Sequence, residues 1–138
     1  MVRVVLGGKM AETIVNAFEE LPLIKNEKHR GVYYKNCVSM DVAKYSGINV
    51  SRIIYERIDP EGQVLPHTHE VGEIIHITGG EVSLLLNGVW TDFVAGDTFI
   101  VPAGNIHSVK NRRKDIPSEQ ISCFVPRVNK LAEGCKGE

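Results

Sequence analysis

Nothing in the 138-residue sequence approaches the roughly 20 consecutive apolar residues of a membrane-spanning helix, so no membrane partner is expected. Neither charge sign is in excess. Lys and Arg number 16 against 17 Asp and Glu, and they are scattered, so the basic stripe or patch of a nucleic-acid-binding protein is missing, as is a helix-turn-helix pattern. Residues 1–8 hold one Arg and a very short apolar stretch without a signal-peptide layout, and a cytoplasmic location is expected. Cysteine is scarce and unpaired in pattern. Cys37, Cys123 and Cys135 form no CxxC, which fits reduced thiols rather than a disulfide framework. Cys37 and Cys123 fall in strand-like stretches with no sequence partner, so nucleophilic catalysis is not expected. The single tryptophan, Trp90, reads as a core or interface aromatic. Gly7-Gly8-Lys9 lacks the rest of a phosphate-binding loop and reads as a turn.

What is present fits one domain over 1–138, with a core over about 32–126 and a polar tail over 127–138. Ala11, Ile14, Val15, Phe18 and Leu21 follow helical spacing before Pro22, which predicts a short helix over 10–21. A charged surface connection follows over 23–30. Strands are predicted over 32–42 and 48–58, then a turn at Asp59-Pro60-Glu61-Gly62. Shorter strands follow over 73–78, 82–86, 90–93, 98–101, 107–110 and 120–125, with a charged loop over 111–119. Asn87-Gly88 between apolar runs is the strongest hairpin signal, since both residues tolerate positive φ in a tight type I′ turn. Many short strands with regular turns give an all-β sandwich or barrel, with a short N-terminal helical or extended segment.

Into this pattern fall His67-Thr68-His69-Glu70-Val71-Gly72-Glu73 and, later, His107. Successive strand residues point to opposite faces, so His67 and His69 share one side and can bind one ion. Three imidazoles and a carboxylate suit one divalent transition metal, iron, manganese, nickel, zinc or copper. In an octahedral arrangement they leave two positions open. Glu73 could remain a ligand or leave the ion and serve as a base.

These residues resemble the cupin superfamily, whose motifs are G-x5-H-x-H-x3-4-E-x6-G and G-x5-P-x-G-x2-H-x3-N. Gly96, Pro102, Gly104, His107 and Asn111 match the second in full; His67, His69, Glu73 and Gly80 match the first. The first glycine of the first motif would fall at Glu61, with Gly62 one residue later, a departure that shifts the turn rather than the ligands. The resemblance implies a small double-stranded β-helix, a jelly-roll barrel with the metal inside one open end, and a homodimer paired through an outer sheet face or exchanged N-terminal strands.

Other side chains are placed only by parity. Tyr55 and Arg57 share one strand face, Arg52 and Glu56 the other, and either pair could line the barrel; an inward Arg could clamp a carboxylate or phosphate. Arg52, Tyr55 and Arg57 are therefore the candidate substrate residues. His76 lies three residues past Glu73, which puts it on the opposite face, and His29 sits in a charged segment and is expected to be solvated. The leading reading is a metal-dependent enzyme on a small polar metabolite, a carboxylate, keto acid, diketone or sugar-like diol. It would act by Lewis-acid isomerisation, decarboxylation or lyase chemistry, or with iron by dioxygenation. The alternatives are a non-catalytic sensor or storage module that binds a small ligand or metal, and a barrel in which the metal is a structural staple.

Overall fold

The computed structural model describes residues 2–4 and 14–127. In chain order the elements are β1 (Val2–Val4), β2 (Ile14–Asn16), a 3-10 turn (Phe18–Glu20), β3 (Ile24–Lys25), β4 (Arg30–Val38), α1 (Met40–Tyr45) and β5 (Arg52–His67). There follow β6 (Gly72–Gly79), β7 (Glu81–Leu86), β8 (Val89–Val94), β9 (Thr98–Val101), β10 (His107–Asn111) and β11 (Ser118–Val125). Among the described residues no helix is long and apolar enough to cross a membrane.

Among the described residues every strand pairing is antiparallel. The main sheet has nine strands in the order β8-β7-β10-β5-β11-β6-β9, with β4 joined to β5 and β3 to β4. The sheet curls so that one face encloses a core of Val32, Ile58, Val64, Ile75, Ile77, Val82, Leu84, Phe99, Val101 and Val109. This is the expected all-β jelly-roll architecture. The rows that run across it matter for function: Glu73, Phe124 and Arg52 are consecutive partners on β6, β11 and β5, as are Ile75, Ser122 and Ile54, and then Ile77, Gln120 and Glu56. Asn87 and Gly88 take φ of 52° and 79°, as the tight hairpin between β7 and β8 requires.

Three sequence expectations are corrected. No helix covers the described part of 10–21, residues 14–21. Ile14–Asn16 pairs with Val2–Val4 as a strand, because the β-branched Ile14 and Val15 satisfy a sheet as readily as a helical stripe, and only one 3-10 turn follows; residues 10–13 lie outside the described residues. The strand predicted over 32–42 ends at Val38 and gives way to α1. Ser39 caps that helix, its hydroxyl accepting from the Val42 N–H at 3.2 Å, and Gly47 follows the helix at φ 68°. The third correction concerns the turn at 59–62, which is instead a bulge within the 16-residue β5, where Arg30 pairs with Gln63 but Val32 pairs with Ile58. Arg30 secures the bulge by donating to the Glu61 carbonyl and the Gln63 amide oxygen at 3.2 and 2.9 Å. Pro60 is tolerated there because a bulge leaves a residue unpaired.

Glu61 carries a positive φ of 65° at the bulge, a conformation that costs a non-glycine residue about 1 kcal/mol. Gly62 beside it has no room for a side chain, since a Cβ would stand 2.8 Å from the Asp59 carbonyl oxygen and 2.9 Å from that of Arg30. Glu61→Gly is therefore expected to raise stability by about 0.5–1 kcal/mol and Gly62→Ala to lower it by more than that. Urea unfolding of the two variants checks this, and equal midpoints would contradict it.

Candidate metal centre

The β5–β10 pairing sets His67 directly opposite His107, because β5 ends at the first histidine and β10 starts at the second. His69 lies two residues past His67. Its backbone carbonyl accepts from the Gly104 N–H at 2.8 Å, so the Pro102-Ala103-Gly104 turn that delivers His107 also holds the segment that carries His69. Gly104 has φ 84° there. Asn111, the last residue of the second motif, is structural. Its amide donates to the Ile58 and Ile116 carbonyls and accepts from the Arg113 N–H, closing the loop that precedes β11.

The ligating nitrogens of His67, His69 and His107 lie within 4.8 Å of one another. Glu73, buried near the start of β6, stands against two of them, with Oε1 3.1 Å from His69 Nε2 and 3.4 Å from His107 Nε2. The other ring nitrogens fix the chemistry. His67 Nδ1 lies 2.8 Å from the Leu65 carbonyl, His69 Nδ1 2.6 Å from that of Val71, and His107 Nδ1 2.9 Å from that of Asn105. A carbonyl only accepts, so each Nδ1 carries the proton and each Nε2 offers a lone pair. His107 Nε2 is buried with no hydrogen-bond partner. The His69 and His107 lone pairs thus face a carboxylate oxygen, acceptor against acceptor, and only a cation between them resolves that contact. A divalent ion fits the donor set, and the three histidines with Glu73 are the residues that would hold it.

Without a metal, protons take the cation's place. Burial pushes Glu73 upward, but the contacts with His107 and His69, favourable only when a proton stands between nitrogen and oxygen, outweigh it and hold the carboxyl down at about 2. Burial pushes His67 below its ordinary value and keeps it a neutral ligand, whereas the Glu73 contact raises His69, where a proton fills the place of a metal. Ser122 also donates to Glu73. Its oxygen in turn accepts from Gln120 Nε2 at 3.3 Å, and the same nitrogen donates to Glu56 Oε1 at 3.0 Å. A buried polar chain therefore runs from the metal site to Glu56. Burial and the neighbouring Glu73 push Glu56 up to about 8, with Arg52 opposing them.

Glu56 and Gln120 line one cavity of about 580 Å³, with the three histidines and Glu73 around part of its wall. Of the candidate substrate residues, Arg52 lines it. Its guanidinium lies 4.9 Å from the Phe124 ring centroid and 5.9 Å from that of Tyr34. Tyr55 and Arg57 are on the reverse face of β5 and do not line it. Tyr55 donates to Glu119 and packs edge-on against Phe18, and Arg57 pairs with Asp59 over the Tyr33 ring. Strand parity separates these pairs, and the buried Ile54 and Ile58, which bracket Glu56, share the inward side with Arg52. His76 is on the outer face, bonded to Thr98 Oγ1. Burial raises the thiols of Cys37 and Cys123, the opposite of what a nucleophile needs. His29 corrects the sequence reading: it is not a solvated loop residue but lines the cavity, its ring 5.1 Å from that of His67. Burial, with His67 next, pulls it down to about 4.

Comparison with known proteins agrees with this architecture. A family model described as "Cupin domain" (Cupin_2) matches residues 54–122, half of the chain. Germin-like protein subfamily 2 member 4 of Arabidopsis thaliana is 35% identical over 92 residues, 61% of this chain and 42% of that protein, so the chain spans less than half the length of this curated relative. Among solved structures, a predicted oxalate decarboxylase from Thermotoga maritima superposes with a TM-score of 0.71 at 21% identity, over 83% of this chain and 100% of that one. An RmlC-like cupin from Shewanella frigidimarina superposes with a TM-score of 0.66 at 16% identity, over 83% and 92%. With the motifs, the strand order and the histidine site in agreement, the chain belongs to the cupin family.

Proposed function

We propose that this cupin is a metal-dependent enzyme acting on a small polar metabolite that carries a carboxylate. The observation that carries this reading is the convergence of three Nε2 lone pairs, each set by its own Nδ1–H···O=C bond, on one wall of a polar cavity. A divalent ion bound there supplies Lewis acidity toward a carbonyl, the basis of isomerase, decarboxylase and lyase reactions, and iron adds dioxygen chemistry. The chain's own side chains supply the rest. Arg52 is held by two aromatic rings, is in the same cross-sheet row as Glu73, and has no carboxylate partner within bonding distance among the described residues. It is suited to bind the substrate carboxylate and orient the substrate against the histidines. Glu73, tied to both histidines and Ser122, is better placed as a ligand than as a mobile base.

The test is turnover of a panel of keto acids, diketones and sugar acids, before and after chelation and in Arg52→Met. A substrate whose turnover vanishes on chelation, and whose KM rises about tenfold or more in Arg52→Met, is the expected result. Saturable binding with no turnover of any panel member would favour a binding module, and turnover indifferent to chelation would overturn the reading.

A further inference from the structure

Of the four histidines around the cavity, His29 is the one outside the ligand group. It reaches the site because β4 pairs with β5, Arg30 opposite Gln63, which lays the residue before β4 beside the segment that leads to His67. One residue, Leu65, then treats the two rings oppositely. The Leu65 carbonyl takes the proton of His67 Nδ1 at 2.8 Å, while the Leu65 N–H donates to His29 Nδ1 at 3.0 Å. An imidazole nitrogen that accepts from an amide carries no proton, so the His29 ring is neutral by geometry and its one proton sits on Nε2. Among the described residues no protein acceptor takes that N–H. Leu65 thus fixes His67 as a metal ligand and its neighbour as a hydrogen-bond donor in the same cavity.

We infer that His29 is an anion-recognising residue, whose Nε2–H donates to a carboxylate oxygen, or an equivalent small anion, held at the metal. This rests on the metal reading above. Arg52, in the row of Glu73 and at the other end of β5 from His67, gives the ligand charge neutralisation. His29, beside His67, gives a directional, uncharged donor, so that a monoanion is held without adding a further positive charge to a site that would already carry a metal ion.

Azide titrated into cobalt-loaded protein, followed by visible absorption, tests this without any substrate. His29→Phe should bind cobalt as wild type does but azide about tenfold more weakly, the loss expected for a donor to a charged group. His29→Gln, whose amide N–H can stand near the lost Nε2–H, should recover most of that affinity. Azide affinity unchanged in His29→Phe would overturn the inference, and so would loss of cobalt from that variant, which would make His29 a ligand. Wild-type protein that takes up no cobalt would instead bring down the metal reading, and the inference with it. Two-bond proton–nitrogen NMR correlations on the wild type need no variant: the proton belongs on Nε2 of His29 and on Nδ1 of His67, and a proton on Nδ1 of His29 would overturn the assignment.

Discussion

Replacing His107 with alanine is expected to weaken divalent-metal binding by about a hundredfold or more, since it deletes one of three convergent ring nitrogens where loss of an outer-sphere partner alone costs 10–100-fold. The metal-free fold should tolerate the change better than a buried polar substitution usually allows. His107 Nε2 makes no hydrogen bond without a metal and only approaches Glu73 Oε1 at 3.4 Å, so its removal costs packing, the Nδ1–H bond to the Asn105 carbonyl and that weak contact. The variant should therefore stay folded but lose the rise in melting temperature that added metal gives the wild type. Competition against a chromophoric chelator measures the affinity directly. A value within about threefold of wild type would mean that the three nitrogens do not act as one site.

The second large effect concerns Glu56 and pH. Its carboxyl is raised from the ordinary value to about 8 in the folded protein, chiefly by burial and then by Glu73. A raised folded value means that the folded state holds the proton more tightly. Below the ordinary carboxylate range both states are protonated and this contribution is fully present. As pH rises from there to about 8, the unfolded chain gives up its proton while the folded chain does not, and about 1.4 kcal/mol of stability is lost per pH unit. Glu56→Gln keeps an oxygen for the Gln120 amide and removes the titration. In metal-free protein it should be no more stable than wild type at pH 4, and more stable by about 4 kcal/mol near pH 8. Glu73 runs the other way: held down at about 2, it contributes stability that is present above the ordinary carboxylate value and lost as pH falls toward 2. Urea unfolding of wild type and Glu56→Gln between pH 4 and 8 separates the two effects. Parallel stability curves across that range would show that Glu56 is ionised in the folded protein and that the Ser122–Gln120 chain does not hold it neutral.

The histidine cluster was legible in the sequence because it rests on local rules. The His-x-His spacing where β5 ends puts His67 and His69 close together, and the Gly96 to His107 spacing encodes the turns that bring a third histidine beside them. What escaped the sequence depends on long-range register. His29 reaches His67 only through the pairing of β4 with the far half of β5, which no local period reveals. Alternation separated Arg52 and Glu56 from Tyr55 and Arg57 but could not say which pair faces inward; β11 decides that by laying Gln120, Ser122 and Phe124 alongside the first pair. The misread segments are those where two local signals compete. Residues 14–18 fit helical spacing and β propensity alike. At 59–62, turn-forming residues were used for a bulge because Arg30 holds both sides of it. Helix α1 carried its own signature in Ser39 and Gly47, hidden within an apolar run that reads as a strand.

The most direct test of the central claim, that three tautomer-fixed histidines and Glu73 form one metal site, is the metal content of protein purified without a tag or added metal. It is measured by mass spectrometry for wild type and His107→Ala in parallel. Near-stoichiometric transition metal in the wild type and its loss from the variant is the predicted result. A wild type that holds no metal even after reconstitution, or equal metal in both proteins, would contradict the account and leave a metal-free binding barrel.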